Sequence, residues 1–241
     1  MRLDPARLRS ITLVDEADDW LAVAKPPGLA VHGGAGESGP TLLAILAEAY
    51  AAPLELHPVH RLDKPTSGVV LVAKSASAAR ALQAAWPSAK KRYHAIALGR
   101  VAGPLELSAP LADEDGVRRP ARTRARPLAY LGGLEPKTTW LEVELETGRF
   151  HQIRRHLAGE KRPVLLDDRY GDFAANKAFS KAAKDAGVRG VGKSDLLLHA
   201  HTLELTIDGA ARRFVAPLPA RWRALLAAAG APPGEVEKFT G

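Results

Sequence analysis

The stretch HRLDKPTSG at residues 60–68 runs directly into the apolar segment VVLVA at residues 69–73. The apolar segment predicts a buried β-strand, because β-branched side chains suit a strand that is packed on both faces. Pro65 restricts the backbone before it, and Gly68 allows a conformation that other residues avoid, so the two together indicate a defined loop. A rigid loop entering a buried strand can hold a polar side chain at the floor of a cleft. The sequence therefore predicts a polar site at residues 60–68.

Short strands are predicted on both sides of this segment, and they decide the fold class. The alternation of apolar and polar residues from Thr138 to Leu145 is typical of a half-buried strand, and Asp208-Gly209 predicts a hairpin turn. Many strands with few helices predict an α+β fold with a mainly antiparallel, mixed β-sheet core and flanking helices. The other predicted strands are residues 11–14, 20–24, 93–98, 196–198, 202–207 and 212–215.

The predicted helices carry recognisable boundary residues. Thr41 and Ser75 are typical N-caps, for helices that end near Tyr50 and Trp86. A short helix is predicted over residues 152–158 with Gly159 as its C-cap, and a C-terminal helix over about residues 220–229. We expect one domain over residues 1–241, with its core at about residues 11–216.

Two segments are rich in residues that favour exposure. Residues 108–137 contain many Pro, Gly and Arg residues, which predict a surface loop or arm. Residues 171–195 are polar and rich in lysine, which predicts a surface insertion with one helix inside it.

The 241-residue chain has a net charge of +7 and contains no cysteine. Clustered Lys and Arg residues suit a polyanion such as RNA, but a merely basic protein surface fits the charge equally well. Without cysteine the chain has no disulfide, thiolate zinc site or Cys nucleophile. The sequence shows no apolar leader and no apolar run long enough to cross a membrane, so we expect a cytoplasmic protein with no membrane association.

Asp63 is the only acidic residue in the loop at residues 60–68. The neighbouring cations Arg61 and Lys64 favour its ionised form. A carboxylate in such a loop can be a nucleophile, a base or a metal ligand, or it can simply organise the loop. The residues alone leave these alternatives open.

The loop resembles the signature of the large-subunit ribosomal RNA and tRNA pseudouridine synthase family. That resemblance rests on ordered blocks rather than on one motif. It implies the pseudouridine synthase fold with an RNA-binding cleft, and an isomerase that detaches a uracil from its ribose and re-attaches it through carbon, without a cofactor or a metal. The matching blocks are His60–Asp63 with Thr66–Gly68, Lys25–Gly28 with Val31-His32, Lys91–Tyr93 with Ala95, Thr147–Arg154, Asp167–Asp172 and Leu196–Ala200.

The resemblance also implies residue roles. Asp63 corresponds to the catalytic carboxylate, and Tyr93 to a tyrosine that stacks on the uracil and acts as a base late in the reaction. Arg149 corresponds to an arginine paired with the catalytic Asp, although phosphate binding is the alternative. Leu197 or Leu198 is expected to form an apolar wall under the uracil, or else to belong to the core.

RNA binding is expected to rest on the basic surface of the catalytic domain, because no S4-type RNA-binding domain is seen before the first strand. We expect Arg61 to fill the gap left by a flipped nucleotide. We expect the arm around Arg118–Arg126 to clamp the RNA. We expect a monomer that modifies 23S ribosomal RNA, with tRNA as the alternative substrate. The expected RNA-binding residues are Arg61, Lys64, Lys91, Arg118, Arg119, Arg122, Arg124, Arg154 and Arg155.

Three other classes of protein compete with this hypothesis, and one of them, a purely structural ribosome-associated protein, would explain the charge but not the loop at residues 60–68. A non-catalytic RNA-binding protein would have lost Asp63 or Arg149, and both are present. A glycosidase needs two carboxylates that face the scissile bond, whereas only one acid is strongly placed here. The product distinguishes a base-releasing hydrolase from a synthase, since the hydrolase liberates free uracil.

Overall fold

The computed structural model describes residues 10–33, 39–50, 54–192 and 195–239. The chain divides into two compact units, one of Met1–Lys90 with Ala200–Ala216 and one of Lys91–His199 with Pro217–Gly241. The single domain expected from the sequence stays a prediction. The start of the chain, from which the lack of a leader was inferred, lies largely outside the described residues.

The fold is α+β, as predicted, and its strands pair mainly in antiparallel fashion. The strands of the described residues are β1 (Thr12–Glu16), β2 (Trp20–Lys25), β3 (His57–Pro58), β4 (Ser67–Ala73), β5 (Lys90–Leu98), β6 (Leu105–Leu107), β7 (Leu111–Ala112), β8 (Arg118–Arg119), β9 (Thr123–Leu131), β10 (Thr138–Leu145), β11 (Leu198–Ile207) and β12 (Ala210–Val215). The helices are α1 (Leu42–Glu48), α2 (Ala76–Ala85), α3 (Gln152–Gly159), α4 (Phe173–Asp185), α5 (Ala220–Ala228) and α6 (Pro233–Glu237).

The first unit is built around β4, every residue of which is buried. Antiparallel β2 lies beside it, with β1 beyond β2, and β11 neighbours β4 and pairs with β12. The ring of Trp20 meets Phe214 edge-on, with 5.1 Å between centroids. The predicted buried strand after residue 68 is therefore confirmed.

Gly68 fixes where the polar loop enters β4. Its φ is +120°, and a Cβ added there would lie 2.1 Å from the backbone oxygen of Ala200. Only glycine tolerates both the left-handed backbone and this close approach. The loop before Gly68 is consequently held against the backbone of β11.

The second unit contains the antiparallel order β5-β10-β9-β6. Its core includes Trp140, Leu157, Leu165 and Trp222, each almost completely buried. The α3 residue Leu157 and the α5 residue Trp222 thus share one core with the sheet residue Trp140.

Several helix predictions are confirmed by their caps. The side chain of Thr41 accepts a hydrogen bond from Ala44 N at 3.2 Å, and Ser75 accepts one from Ala78 N at 3.1 Å. The C-terminal helix is α5, one residue shorter than predicted. Gly159 is the last residue of α3 rather than its C-cap, which is Glu160, because the left-handed turn comes at Lys161.

The prediction of an exposed loop or arm over residues 108–137 is wrong at residues 123–131, which form strand β9. The register shifts between Trp140 and Leu141, opposite Pro127, so the proline occupies an irregular position where the strand tolerates a missing N–H. The strand predicted at residues 202–207 begins earlier, at Leu198, and only the last residue of the strand predicted at residues 196–198 belongs to it. The helix α6 was not predicted.

Replacing Gly68 by alanine should destabilise the protein strongly, because the new Cβ meets backbone rather than a movable side chain. We expect the free energy of unfolding to fall by about 3 kcal/mol, combining the cost of positive φ with that of overpacking. Gly103 is the control, since a Cβ added there would meet nothing within 4 Å and its φ is not positive. Equal urea midpoints for the Gly68→Ala and Gly103→Ala variants would contradict this account.

Candidate active site

The loop at residues 60–66 is held by backbone and ring contacts within the first unit. The Thr66 N–H donates to the Asp63 carbonyl at 3.0 Å and closes a tight turn. His60 Nε2 accepts a hydrogen bond from Leu71 N at 3.0 Å, and its ring stacks on Trp86 with 4.3 Å between centroids. His60 therefore ties the start of the loop to the middle of β4.

Lys25, at the end of β2, is the main structural residue of the site that sequence reasoning missed. Its side chain is 1% exposed. Its Nζ donates to the carbonyls of Pro26 at 3.1 Å, Leu29 at 2.7 Å and Lys64 at 3.1 Å. Because Gly28 N also donates to Lys64 O at 2.8 Å, two turns of the chain are joined at one point. Sequence offered one signal, the lysine directly before Pro26-Pro27-Gly28.

Burial lowers the pKa of Lys25 to about 7, while the carboxylate of Asp63 acts in the opposite direction. The ammonium is thus stripped of water and electrostatically coupled to the predicted catalytic acid. Asp63 itself is half-buried, and Arg61 and Lys64 on either side of it are exposed. The loop therefore combines a partly accessible carboxylate with a fixed backbone.

In the second unit, Gln152 organises the segment at residues 147–156. Gln152 Oε1 accepts from Thr147 Oγ1 at 2.8 Å and from Arg149 N at 2.9 Å. Gln152 Nε2 donates to Arg122 O and to Thr123 Oγ1, both at 2.9 Å. One buried amide thus uses both its donors and its acceptor to join the start of α3 to the start of β9.

Three further side chains of the same segment reach backbone carbonyls of residues 109–120. Arg149 Nε donates to Pro120 O at 3.1 Å, and Arg155 donates to Ala112 O at 2.8 Å. His156 Nε2 lies 2.9 Å from Ala109 O, so this nitrogen carries the proton. Arg149 is exposed, whereas Arg155 is partly buried.

The placement of Arg154 corrects the prediction that it binds RNA. Its side chain is 3% exposed, and it donates to both oxygens of Asp167 at 2.7 Å. Burial alone raises the pKa of the Asp167 carboxyl, but hydrogen bonds from Arg154, Tyr170 N and Arg169 N hold it below its usual range. A guanidinium occupied in this way is not a surface phosphate contact.

Several arginines of the predicted clamp are already paired with carboxylates. Arg119 Nε lies 2.7 Å from Asp113, and Arg124 reaches Glu146 at 2.7 Å. Arg118 donates to the carbonyl of Pro110 at 3.1 Å. Arg122 is exposed at the start of β9. The clamp is therefore a short hairpin and a strand rather than a free basic arm.

The remaining predicted residues lie in or near the core of the second unit. Tyr93 is half-buried on β5 and packs against that core. Leu197 and Leu198 belong to the core, which agrees with the second of the two alternatives given for them. Lys91 is 9% exposed and burial lowers its pKa, so it is a poor candidate for a surface contact with RNA.

Asp63, Arg61 and Lys64 thus lie in the first unit, and Tyr93 and Arg149 in the second. No group of three His, Asp or Glu side chains suited to a metal was found among residues 10–33, 39–50, 54–192 and 195–239. Over the same ranges, none of the helices has the length and apolar character needed to cross a membrane.

Comparison with known proteins identifies the class. Residues 19–159 match the RNA pseudouridylate synthase family, and the chain belongs to this family. It is accordingly an RNA pseudouridine synthase, an isomerase that acts on RNA.

The relatives include synthases for two kinds of RNA. The chain is 36% identical over 210 residues to tRNA pseudouridine synthase C of Salmonella typhi, and the aligned region covers 78% of each chain. It is 35% identical over 229 residues to ribosomal large subunit pseudouridine synthase C of Haemophilus ducreyi, covering 88% of this chain and 67% of that one. The solved structure of human RNA pseudouridylate synthase domain containing 4 shares the fold, with a TM-score of 0.70, 24% identity and coverage of 90% and 92%.

Replacing Lys25 by methionine should change how stability depends on pH. The pKa of Lys25 is about 7 in the folded protein and near its ordinary value of 10.5 when unfolded. Between these values the unfolded chain binds one more proton, so this group makes the free energy of unfolding rise with pH by up to about 1.4 kcal/mol per unit. Urea unfolding at pH 7, 8 and 9 should show a flatter dependence for Lys25→Met, and parallel curves would exclude the shifted lysine.

Replacing Arg154 by methionine should cost about 3–5 kcal/mol of stability at pH 7, because it leaves the buried Asp167 carboxylate without its partner. The deficit should shrink as the pH falls and Asp167 becomes protonated. Arg126, which forms an exposed pair with Glu142 at 2.8 Å, is the control, and Arg126→Met should cost under about 1 kcal/mol. Similar losses for the two variants would show that the buried pair has no special role.

Proposed function

We propose that the protein isomerises one or a few specific uridines in 23S ribosomal RNA, with Asp63 as its catalytic carboxylate. The observation that carries this assignment is the half-buried Asp63 in a turn fixed by Lys25, His60 and Gly68. A fixed carboxylate that still reaches solvent can meet a substrate without first reorganising the loop.

The reaction needs such a group at the sugar. The bond between N1 of uracil and C1′ of ribose breaks, and a bond between C5 and C1′ forms. C5 then loses its proton and N1 gains one, so the isomerisation is balanced without a co-reactant. Cleavage either develops positive charge on the sugar or requires a proton to be removed from it, and an anion close to C1′ assists in both cases.

Tyr93 and Arg149 are proposed as further catalytic residues on the basis of the family motifs. Tyr93 would stack on the uracil and accept the C5 proton, and its partial exposure on β5 leaves part of the ring available. Arg149 would support the ionised carboxylate, with phosphate binding as the alternative that its exposed guanidinium also suits.

The proposed RNA contacts are the exposed cations of the predicted set. Arg61 is exposed beside Asp63 and would fill the stack vacated by a flipped uridine. Lys64 and Arg122 are also exposed and would bind phosphate. We expect weaker attraction for phosphate at Arg118, Arg119 and Arg124, because protein groups already contact their guanidinium groups.

The choice of 23S ribosomal RNA is supported by the similarity to ribosomal large subunit synthases. A tRNA substrate is the second candidate, and the similarity to a tRNA synthase favours it. We further propose that the protein acts in the cytoplasm, as a monomer.

Replacing Asp63 by asparagine should abolish pseudouridine formation and leave RNA binding within a few-fold of wild type, because the change removes one charge and almost no volume. We would map pseudouridine in ribosomal RNA and tRNA from cells that lack the gene and carry wild type, Asp63→Asn or Asp18→Asn. Asp18 is an exposed acid of the same unit, and its variant should restore every site.

Sites that vanish without the gene and return only with wild type and Asp18→Asn would identify both substrate and carboxylate. Restoration by Asp63→Asn would refute the assignment of Asp63. Sites confined to tRNA would replace the first candidate substrate with the second. Release of free uracil would indicate a hydrolase.

A further inference from the structure

One face of α4 combines exposed lysines with an exposed aromatic ring. Phe173, Lys177, Lys181 and Lys184 follow at intervals of four, four and three residues, which places them within about 80° of one another around the helix. All four are exposed, whereas Phe179 and Ala183 are buried on the opposite side. We call these four residues the lysine face.

We propose that the lysine face is an additional RNA-docking surface, which binds the phosphate backbone of the substrate RNA and stacks one unpaired base on Phe173. This inference rests on the proposed action on a structured RNA and adds a contact outside the residues assigned to catalysis. The insertion that carries α4 thereby acquires a function beyond linking two parts of the fold.

The charge of this face is largely uncompensated. Lys181 forms an exposed pair with Asp185 at 2.6 Å. Within the described part of the chain, Lys177 and Lys184 have no carboxylate at ion-pair distance. They are separated by about 10 Å along the helix axis, so each would meet a different phosphate.

The arginines predicted to clamp RNA provide the contrast. On β9, Arg124 and Arg126 contact the carboxylates of Glu146 and Glu142 at 2.7 and 2.8 Å. Phosphate would have to compete with these carboxylates, whereas at Lys177 and Lys184 it would displace only water and counterions. Net attraction for RNA should therefore be greater at α4 than at β9.

Phe173 supplies the second, independent observation. Its side chain is 69% exposed, the highest value among the exposed large hydrophobic residues of the described chain. An aromatic ring beside lysines is the arrangement with which proteins bind single-stranded nucleic acid, since every base has a face for stacking. Phe173 lies one helical turn before Lys177, which matches a base stacked next to its bound phosphate.

The test compares equal losses of charge at two places on the second unit. The double variant Lys177→Gln/Lys184→Gln removes two charges from the lysine face. The double variant Lys137→Gln/Lys238→Gln removes two from exposed lysines paired with Glu135 and Glu235, and is the matched control. Binding is titrated from 50 to 300 mM salt with bulk tRNA and with 23S ribosomal RNA, both isolated from cells that lack the gene.

The lysine-face variant should lower the slope of log K against log salt by about 1.5, because each phosphate contact contributes about 0.7–0.9. The control should keep the wild-type slope. Phe173→Ala should weaken binding about 10-fold without changing the slope, because stacking does not involve charge. For the lysine-face variant and for Phe173→Ala, kcat at saturating RNA should match wild type, with the loss confined to KM.

Equal slopes for the lysine-face variant and its control would overturn the proposal, and so would unaltered binding by Phe173→Ala. Failure of the wild-type protein to bind RNA would overturn both this proposal and the proposed function. If wild type isomerises uridine while the slopes stay equal, the proposed function stands and only the docking surface fails, which would leave the face for an acidic protein partner.

Discussion

The buried ammonium of Lys25 is the constraint on which the first unit's site depends. It joins the turn after β2 to the turn that contains Asp63 through three carbonyl oxygens. Removing an ammonium from water is costly unless its donors are satisfied, and here three acceptors and a nearby carboxylate perform that role. The backbone around Asp63 is consequently set by the interior of the protein and does not depend on the arrival of substrate.

In the second unit, a buried amide and a buried ion pair fix the backbone in a similar way. Gln152 and Arg154 lie on the first turn of α3, and each is buried among polar partners. Gln152 binds the start of β9, whereas Arg154 binds Asp167 in the turn that precedes α4. One short helix thus sets the position of one segment that precedes it in the sequence and of another that follows it.

Sequence was most informative where structure is local. The caps at Thr41 and Ser75, the strand after Gly68 and the turn at Asp208-Gly209 all depend on neighbouring residues, and all were predictable. The family and its activity were predictable because the motifs occur in order along the chain. The strand β9 was missed because its Pro and Arg content favoured a loop, although exposed and buried residues alternate through Thr123–Ala125.

The role of Arg154 could not be read from composition, because it depends on a carboxylate thirteen positions away that folding brings to 2.7 Å. Lys25 presented the same difficulty, since its acceptor at Lys64 lies 39 residues along the chain. An exposed charged residue and a buried one cannot be told apart from the sequence of the motif alone. The distinction requires long-range partners, which the pattern of residues does not contain.

The attachments of residues 109–122 have a consequence for how this protein can change. Four side chains donate hydrogen bonds to main-chain oxygens of this segment: Arg149 to Pro120, Gln152 to Arg122, Arg155 to Ala112 and His156 to Ala109. Main-chain oxygens are present whatever the amino acid, so the anchorage survives substitution along most of the segment. The hairpin can accordingly diverge in its outward side chains, and with them in the nucleic-acid features it discriminates, while the scaffold that holds it is unaltered.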